Sequence, residues 1–325
     1  MLDTVSLGRT GLRVSRLGLG LAALGRPGYI NLGHHTDLGP DKSRAALLGR
    51  CHAVLDAAWR AGIRYFDAAR SYGRAEEFLA LWLDRRGYLP VVGSKWGYKY
   101  TADWAVEADL HEHKEHSLER LDEQWRLSWR LLGDRLALYQ VHSLTLDSGL
   151  LENAALLERL AEIRESGVRL GASLSGPRQA DTLGRVLETR VDGKRLFDTV
   201  QATWNPLEPS AGAALAAARR AGMGVIVKEA LANGRLAGRE DTPALAPLFA
   251  IARELETTPD AVALARVLAE PWVDVVLSGA ATEAQLASNL VAADLVLSED
   301  HRARLDAMAE KPDVYWARRG ELAWN

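Results

Sequence analysis

The chain has 325 residues, 48% of them hydrophobic and 26% charged, with a net charge of −3. That is ample material for a core, and the surface charge is too balanced to draw the chain to nucleic acid or an acidic membrane. The single cysteine, Cys51, excludes an intrachain disulfide or a cysteine-based metal site and reads as a small buried side chain.

Residues 4–16, "TVSLGRTGLRVSR", put two short alternating segments around "GRTG" and predict a β-hairpin. The next stretch, "RLGLGLAALGRP" (16–27), alternates with glycine and ends on Arg26 and Pro27, unlike a secretory signal. No run reaches the roughly 18 apolar residues of a membrane helix, so a cytoplasmic protein is expected. The connection over 25–43 is rich in turn formers and longer than usual, which favours a functional lid over a plain connector.

Short apolar runs recur at 16–21, 63–68, 89–95, 136–142, 168–174, 199–205, 224–230 and 273–279. Between them lie segments with helical spacing of Leu and Ala, several ending on glycine as helices commonly do. Continuous apolar strands alternating with helices demand a parallel sheet buried on both faces. Eight such units predict a (β/α)₈ TIM barrel carrying an N-terminal β-hairpin, with residues 1–325 as one domain. A doubly wound open sheet stays open as the alternative, since a strand count does not prove closure. "HEHKEH" (111–116) lacks the i, i+4 pair of a helical zinc site and reads as the solvated start of the helix in "SLERL". No metal site is expected.

In a barrel, catalytic groups come from the C-terminal strand ends and the loops beyond them. Asp67 ends the second run, Lys95 the third and His142 the fourth, and Tyr72 lies on the loop after Asp67. Singly each has an ordinary structural explanation. Together they suit proton delivery to a carbonyl: a phenol titrates near pH ~10, a neighbouring ammonium lowers that value, and a carboxylate keeps the ammonium charged. A neutral imidazole can donate to the carbonyl oxygen.

At this point the chain resembles the aldo-keto reductase superfamily. "GIRYFDAARSYG" (62–73) is similar to its G-x-x-x-[FI]-D-T-A-x-x-Y-G motif, with Ala68 where threonine is usual, and the "SLGRTGLRVSRLGLG" start, Lys95 in "SKWGY" and His142 in "YQVHS" follow in the expected order. The resemblance spans almost the whole chain. It implies a barrel without a Rossmann domain, with Tyr72 as general acid, Lys95 lowering its pKa, Asp67 as the lysine's counter-ion and His142 orienting the carbonyl.

It also implies a nicotinamide cofactor extended across the barrel mouth. Ser173 and Gln201 match residues that hold the carboxamide, with Leu174 where a second amide-binding asparagine is common. Leu231 and Gly234 match the loop that crosses the pyrophosphate, and Lys228 stands where many members stack an aromatic ring on the nicotinamide. Gly279, Ala280, Thr282, Gln285 and Asn289 align with the adenosine-phosphate region. Family habit favours NADP(H) over NAD(H), although this stretch has no Lys or Arg and carries Glu283.

Trp96, Tyr98, Ser143 and Trp204 flank the proposed catalytic residues and are candidates to line the substrate pocket, and the tail "YWARRGELAWN" could fold Trp316 and Trp324 over the mouth. The expected partner is a small carbonyl compound or its alcohol, and the expected activity is NAD(P)(H)-dependent oxidoreduction. Two other readings remain: a cofactor-binding sensor or partner-binding module with little turnover, and a Schiff-base lyase using Lys95, which the counter-ion Asp67 disfavours by keeping the amine charged.

Overall fold

The computed structural model describes residues 2–325. The predicted hairpin is present as β1 (Thr4–Ser6) paired antiparallel with β2 (Arg13–Ser15). The chain then runs through β3 (Leu17–Gly20), β4 (Tyr65–Asp67) and β5 (Val91–Trp96). A small antiparallel ribbon follows, β6 (Tyr98–Tyr100) with β7 (Glu112–Lys114), and then β8 (Leu136–Leu144) and β9 (Arg169–Leu174). A second ribbon, β10 (Arg190–Val191) with β11 (Lys194–Arg195), precedes β12 (Thr199–Thr203), β13 (Gly224–Lys228) and β14 (Val275–Ser278).

Strands β3, β4, β5, β8, β9, β12, β13 and β14 pair in that order, all parallel, and β14 returns to β3 to close a barrel. Each of the eight predicted runs contributes one barrel strand. The open-sheet alternative is ruled out by the pairing of Val276, Leu277 and Ser278 with Leu17, Gly18 and Leu19.

Two devices shape the inside. The hairpin plugs the N-terminal end, where Leu7 and Val14 pack on Tyr65, Leu138, Ile226 and Val275. Gly8 is required there: its φ is 52° and a Cβ would lie 2.2 Å from the Gly224 nitrogen. Within the barrel, a Cβ on Gly93 would sit 2.4 Å from the Tyr65 hydroxyl and 3.3 Å from Asp67 Oδ1. Glycine on β5 thus clears the space in which those groups meet.

Several outer helices start on side-chain caps, as at Ser43, Ser117 and Asn153, each accepting from a backbone N–H in the first turn. Cys51 is fully buried in the helix Arg44–Arg60, and burial pushes its thiol pKa up. No helix among the described residues is long and apolar enough to cross a membrane.

One expectation fails. "HEHKEH" does not begin a helix, because Glu112–Lys114 forms β7 and the helix starts at Leu118 after the cap Ser117. The ribbon carries Glu112 to the barrel mouth, and His116 packs edge-on against Trp96 and bonds the carbonyl of His142.

Candidate active site

The C-terminal ends of the barrel strands surround a cavity of about 600 Å³. Asp67, at the end of β4, is 1% exposed and accepts hydrogen bonds at Oδ1 from Tyr65 Oη (3.0 Å), Gln140 Nε2 (3.1 Å) and Gln201 Nε2 (3.0 Å). Its Oδ2 takes a direct ion pair from Lys95, which is itself fully buried. Lys95 Nζ also donates to the Ala68 carbonyl (3.0 Å) and to Tyr72 Oη (3.3 Å). A buried ion pair is tolerable only when both partners are further satisfied, and here every partner is a barrel strand or its loop.

His142, at the end of β8, presents its ring edge-on to Tyr72 with centroids 5.5 Å apart, and Nδ1 lies 3.5 Å from Ser71 Oγ. Burial and the charges of Lys95, Lys228 and Arg26 hold its pKa well below the ordinary histidine value, so the imidazole is neutral at pH 7. The next residue, Ser143, has φ of 50°, a left-handed conformation that a non-glycine residue adopts at a cost and that recurs at functional sites.

Tyr72 departs from expectation. Burial and the charge of Asp67 hold its pKa well above the ordinary phenol value, with Arg26 opposing. The carboxylate that neutralises Lys95 cancels much of the field the ammonium would exert on the phenol. The resting group is therefore a protonated donor rather than a partly ionised one.

Of the other expected residues, Gln201, Lys228, Leu231, Gly234, Gly279, Ala280, Gln285 and Asn289 line the same cavity, as do Tyr98 and Ser143. Ser173 sits in register with Gln201 on the neighbouring strand, fully buried, and its hydroxyl has no hydrogen-bond partner. Ser173 does not itself line the cavity, and an unpaired buried hydroxyl beside a glutamine is the one feature there that suits a polar amide ligand. Thr282 does not line the cavity; it caps the helix Glu283–Leu290 by accepting from the Gln285 amide at 3.2 Å. The amides of Ala280 and Ala281 are also engaged, by Ser278 Oγ and Gln285 Oε1. Asn289 accepts from Ser278 Oγ at 2.8 Å and donates to Asp260 at 2.7 Å.

Trp96 and Trp204 do not line the cavity. Side chains alternate across a strand. Lys95 faces inward, so Trp96 faces the helix layer, fully buried. Trp204, one residue past β12, likewise packs against Trp272 and donates to the Pro209 carbonyl. In the tail, Trp324 covers the mouth, stacked on His111 with centroids 4.1 Å apart, whereas Trp316 packs on Tyr315 away from it. The 25–43 connection supplies Tyr29, Ile30, Leu32, His34 and Asp37 to the cavity wall, with a short helix at His34–Leu38.

Several wall residues carry no local sequence signal. Arg26 is 1% exposed, bonds the Ser71 carbonyl and Glu112, and lies over the rings of Tyr29, Tyr72 and Trp324. Arg319, from the C-terminal helix Pro312–Gly320, clamps Glu229 through both Nε and a terminal nitrogen. Arg239 pairs with Asp37, which also accepts from Gln285. Only the arginine beside a proline in a long connection could have drawn attention from sequence. Among the described residues, no group of His, Cys, Asp and Glu is placed to hold a metal ion.

Known proteins match most of the chain. The chain is 25% identical over 332 residues to the uncharacterized oxidoreductase YqkF of Bacillus subtilis (strain 168), covering 96% of this chain and 98% of that one. A shorter match, 39% over 102 residues, is to pyridoxal 4-dehydrogenase of Microbacterium luteolum; it spans 31% of this chain and only about a quarter (25%) of that protein's length. The fold is shared with the holo form of aldo-keto reductase AKR11C1 from Bacillus halodurans, at TM-score 0.72 and 21% identity, covering 96% and 97% of the two chains. The model of the aldo/keto reductase family matches residues 16–310, nearly the whole barrel. The chain belongs to the aldo/keto reductase family, whose members use nicotinamide cofactors to oxidise or reduce carbonyl compounds and their alcohols.

Proposed function

We propose that this chain, as one domain, interconverts an aldehyde or ketone and its alcohol with a nicotinamide cofactor, and that Tyr72 is the proton donor and acceptor. The observation that carries the reading is the contact of Lys95 with both Asp67 and Tyr72 at the floor of a cavity shared with His142. In the reducing direction Tyr72 Oη passes its proton to the carbonyl oxygen. The Lys95 ammonium then stabilises the phenolate, and Asp67 keeps that ammonium charged and in place. Neutral His142 donates to the same oxygen and fixes its direction.

When bound, the nicotinamide supplies or accepts the hydride. Ser173 and Gln201 would hold its amide, the loop of Leu231 and Gly234 its diphosphate, and residues 279–289 its adenosine end. We favour NADP(H) over NAD(H) on the habit of the family; Arg239, held by Asp37 beside Gln285, is the cation of this wall that would have to turn to a 2′-phosphate. Comparing kcat/KM for NADPH and NADH, with Arg239→Ala alongside, tests this. The preference is wrong if NADH is used at least as well.

Tyr72→Phe tests the main reading. General acid catalysis contributes about 10²–10⁴ in rate, so kcat should fall at least 100-fold with cofactor affinity unchanged. A variant that kept more than about a tenth of the activity would remove Tyr72 from this role. A wild-type chain that binds NADPH tightly yet reduces no aldehyde would instead support the sensor reading.

A further inference from the structure

Four cations line the cavity wall: Arg26, Lys228, Arg239 and Arg319. Three are committed, to Glu112, Asp37 and Glu229 respectively. Among the wall carboxylates, Asp67 belongs to Lys95 behind it, and Asp260 faces Asn289 at the end formed by the helices Pro259–Leu268 and Glu283–Leu290. The side chain of Lys228, at the end of β13, has neither an ion pair nor a hydrogen bond among the described residues. Its neighbour Glu229 could have served, but φ of 53° turns the chain there and the Glu229 carboxylate goes to Arg319 and to Thr203 Oγ1 at 3.1 Å.

An ammonium in a partly desolvated pocket with every nearby carboxylate already taken is an anion site. We infer that Lys228 receives a carboxylate on the carbonyl substrate, so that the preferred substrates are aldehydo or keto acids rather than neutral carbonyls. This rests on the reading above that the cavity takes a carbonyl compound. One unmatched positive charge calls for a monoanion, which selects a carboxylate over a phosphate ester. Lys228 lines the same cavity as Tyr72 and His142 and stands in register with Thr203, two residues past Gln201 on β12, which puts the anion site on the catalytic side of the cavity.

Burial, Arg319 and Lys95 lower the Lys228 pKa to about 8, against Glu229 and Asp67, which raise it. A bound carboxylate would restore the charge that this environment weakens, so affinity for it should decline as pH rises past 8.

The test compares 4-carboxybenzaldehyde with 4-nitrobenzaldehyde, similar in shape but neutral at the para position, in wild type, Lys228→Met and Lys228→Arg. The readout is the ratio of the two kcat/KM values, from which any shared effect on the cofactor cancels. Lys228→Met should lower that ratio about tenfold or more, the low end for a hydrogen bond between charged groups, and Lys228→Arg should keep most of it. An unchanged ratio with weakened NADPH binding would assign Lys228 to the cofactor's diphosphate and overturn the inference. If no aldehyde turns over, the proposed function fails on its own, and calorimetric titration of the chain with 4-carboxybenzaldehyde still decides. Binding about tenfold weaker in Lys228→Met upholds the carboxylate site, and equal binding rejects it.

Discussion

Two lysines stand at the ends of barrel strands, and their surroundings could hardly differ more. Lys95 on β5 is fully buried and bonded to a carboxylate, a carbonyl and a phenol, while Lys228 on β13 faces the cavity with nothing to bond. The floor is built to be electrically complete before any ligand arrives. The rim on the β13 side holds one positive charge in reserve. Completeness makes the floor rigid and costly to disturb, whereas the unmatched charge on the rim is held at the expense of a lowered pKa and can be used for selection.

The largest effect should come from opening the floor. Asp67→Ala leaves a buried ammonium without its partner, and such a break costs about 3–5 kcal/mol. Denaturant unfolding should show this, and adding Lys95→Met should recover part of the loss, since the stranded charge goes with it. If Asp67→Ala alone were neutral, the floor would not be the closed unit described. Tyr72→Phe should separate chemistry from stability, cutting kcat at least 100-fold with an unfolding midpoint close to that of wild type.

The rim should respond more mildly. Burial would raise the Glu229 pKa, but the charges of Arg319 and Lys228 and bonds from Arg319 and Thr203 outweigh it and hold the value at about 2. A carboxylate with a depressed folded-state pKa stabilises the fold above its unfolded value, near 4.3, and loses that contribution as pH falls through 2. Glu229→Gln should therefore cost about 1–3 kcal/mol at pH 7, and its difference from wild type should shrink as pH is lowered from about 4.3 toward 2. A constant difference across that range would mean that the clamp works by shape rather than charge. Last comes Lys228→Met, whose mark is a changed preference between charged and neutral aldehydes.

The floor was far easier to read from sequence than the rim. Barrel strands are buried on both faces, so each appears as an apolar run, and a polar residue closing such a run stands out, as Asp67, Lys95 and His142 do. Strand parity also carried information. Trp96 follows an inward lysine and so had to face outward, which would have removed it from the pocket without a structure. The rim depends on pairings between distant residues: Arg26 with Glu112, Arg319 with Glu229, and Asp37 with both Arg239 and Gln285. No periodicity marks those partners. The direction of the Tyr72 shift is hidden from the sequence for a related reason, since a list of nearby charges does not reveal how far Asp67 cancels Lys95 or how deeply the phenol is buried.

Cys51 gives these comparisons a convenient reporter. Its thiol is enclosed by the helix layer and poorly ionised, and it is the only sulfhydryl in the chain. Alkylation of the native protein must wait for the layer around it to open. The labelling rate therefore counts opening events at a single known position, and with it each variant's stability can be followed in dilute solution without denaturant.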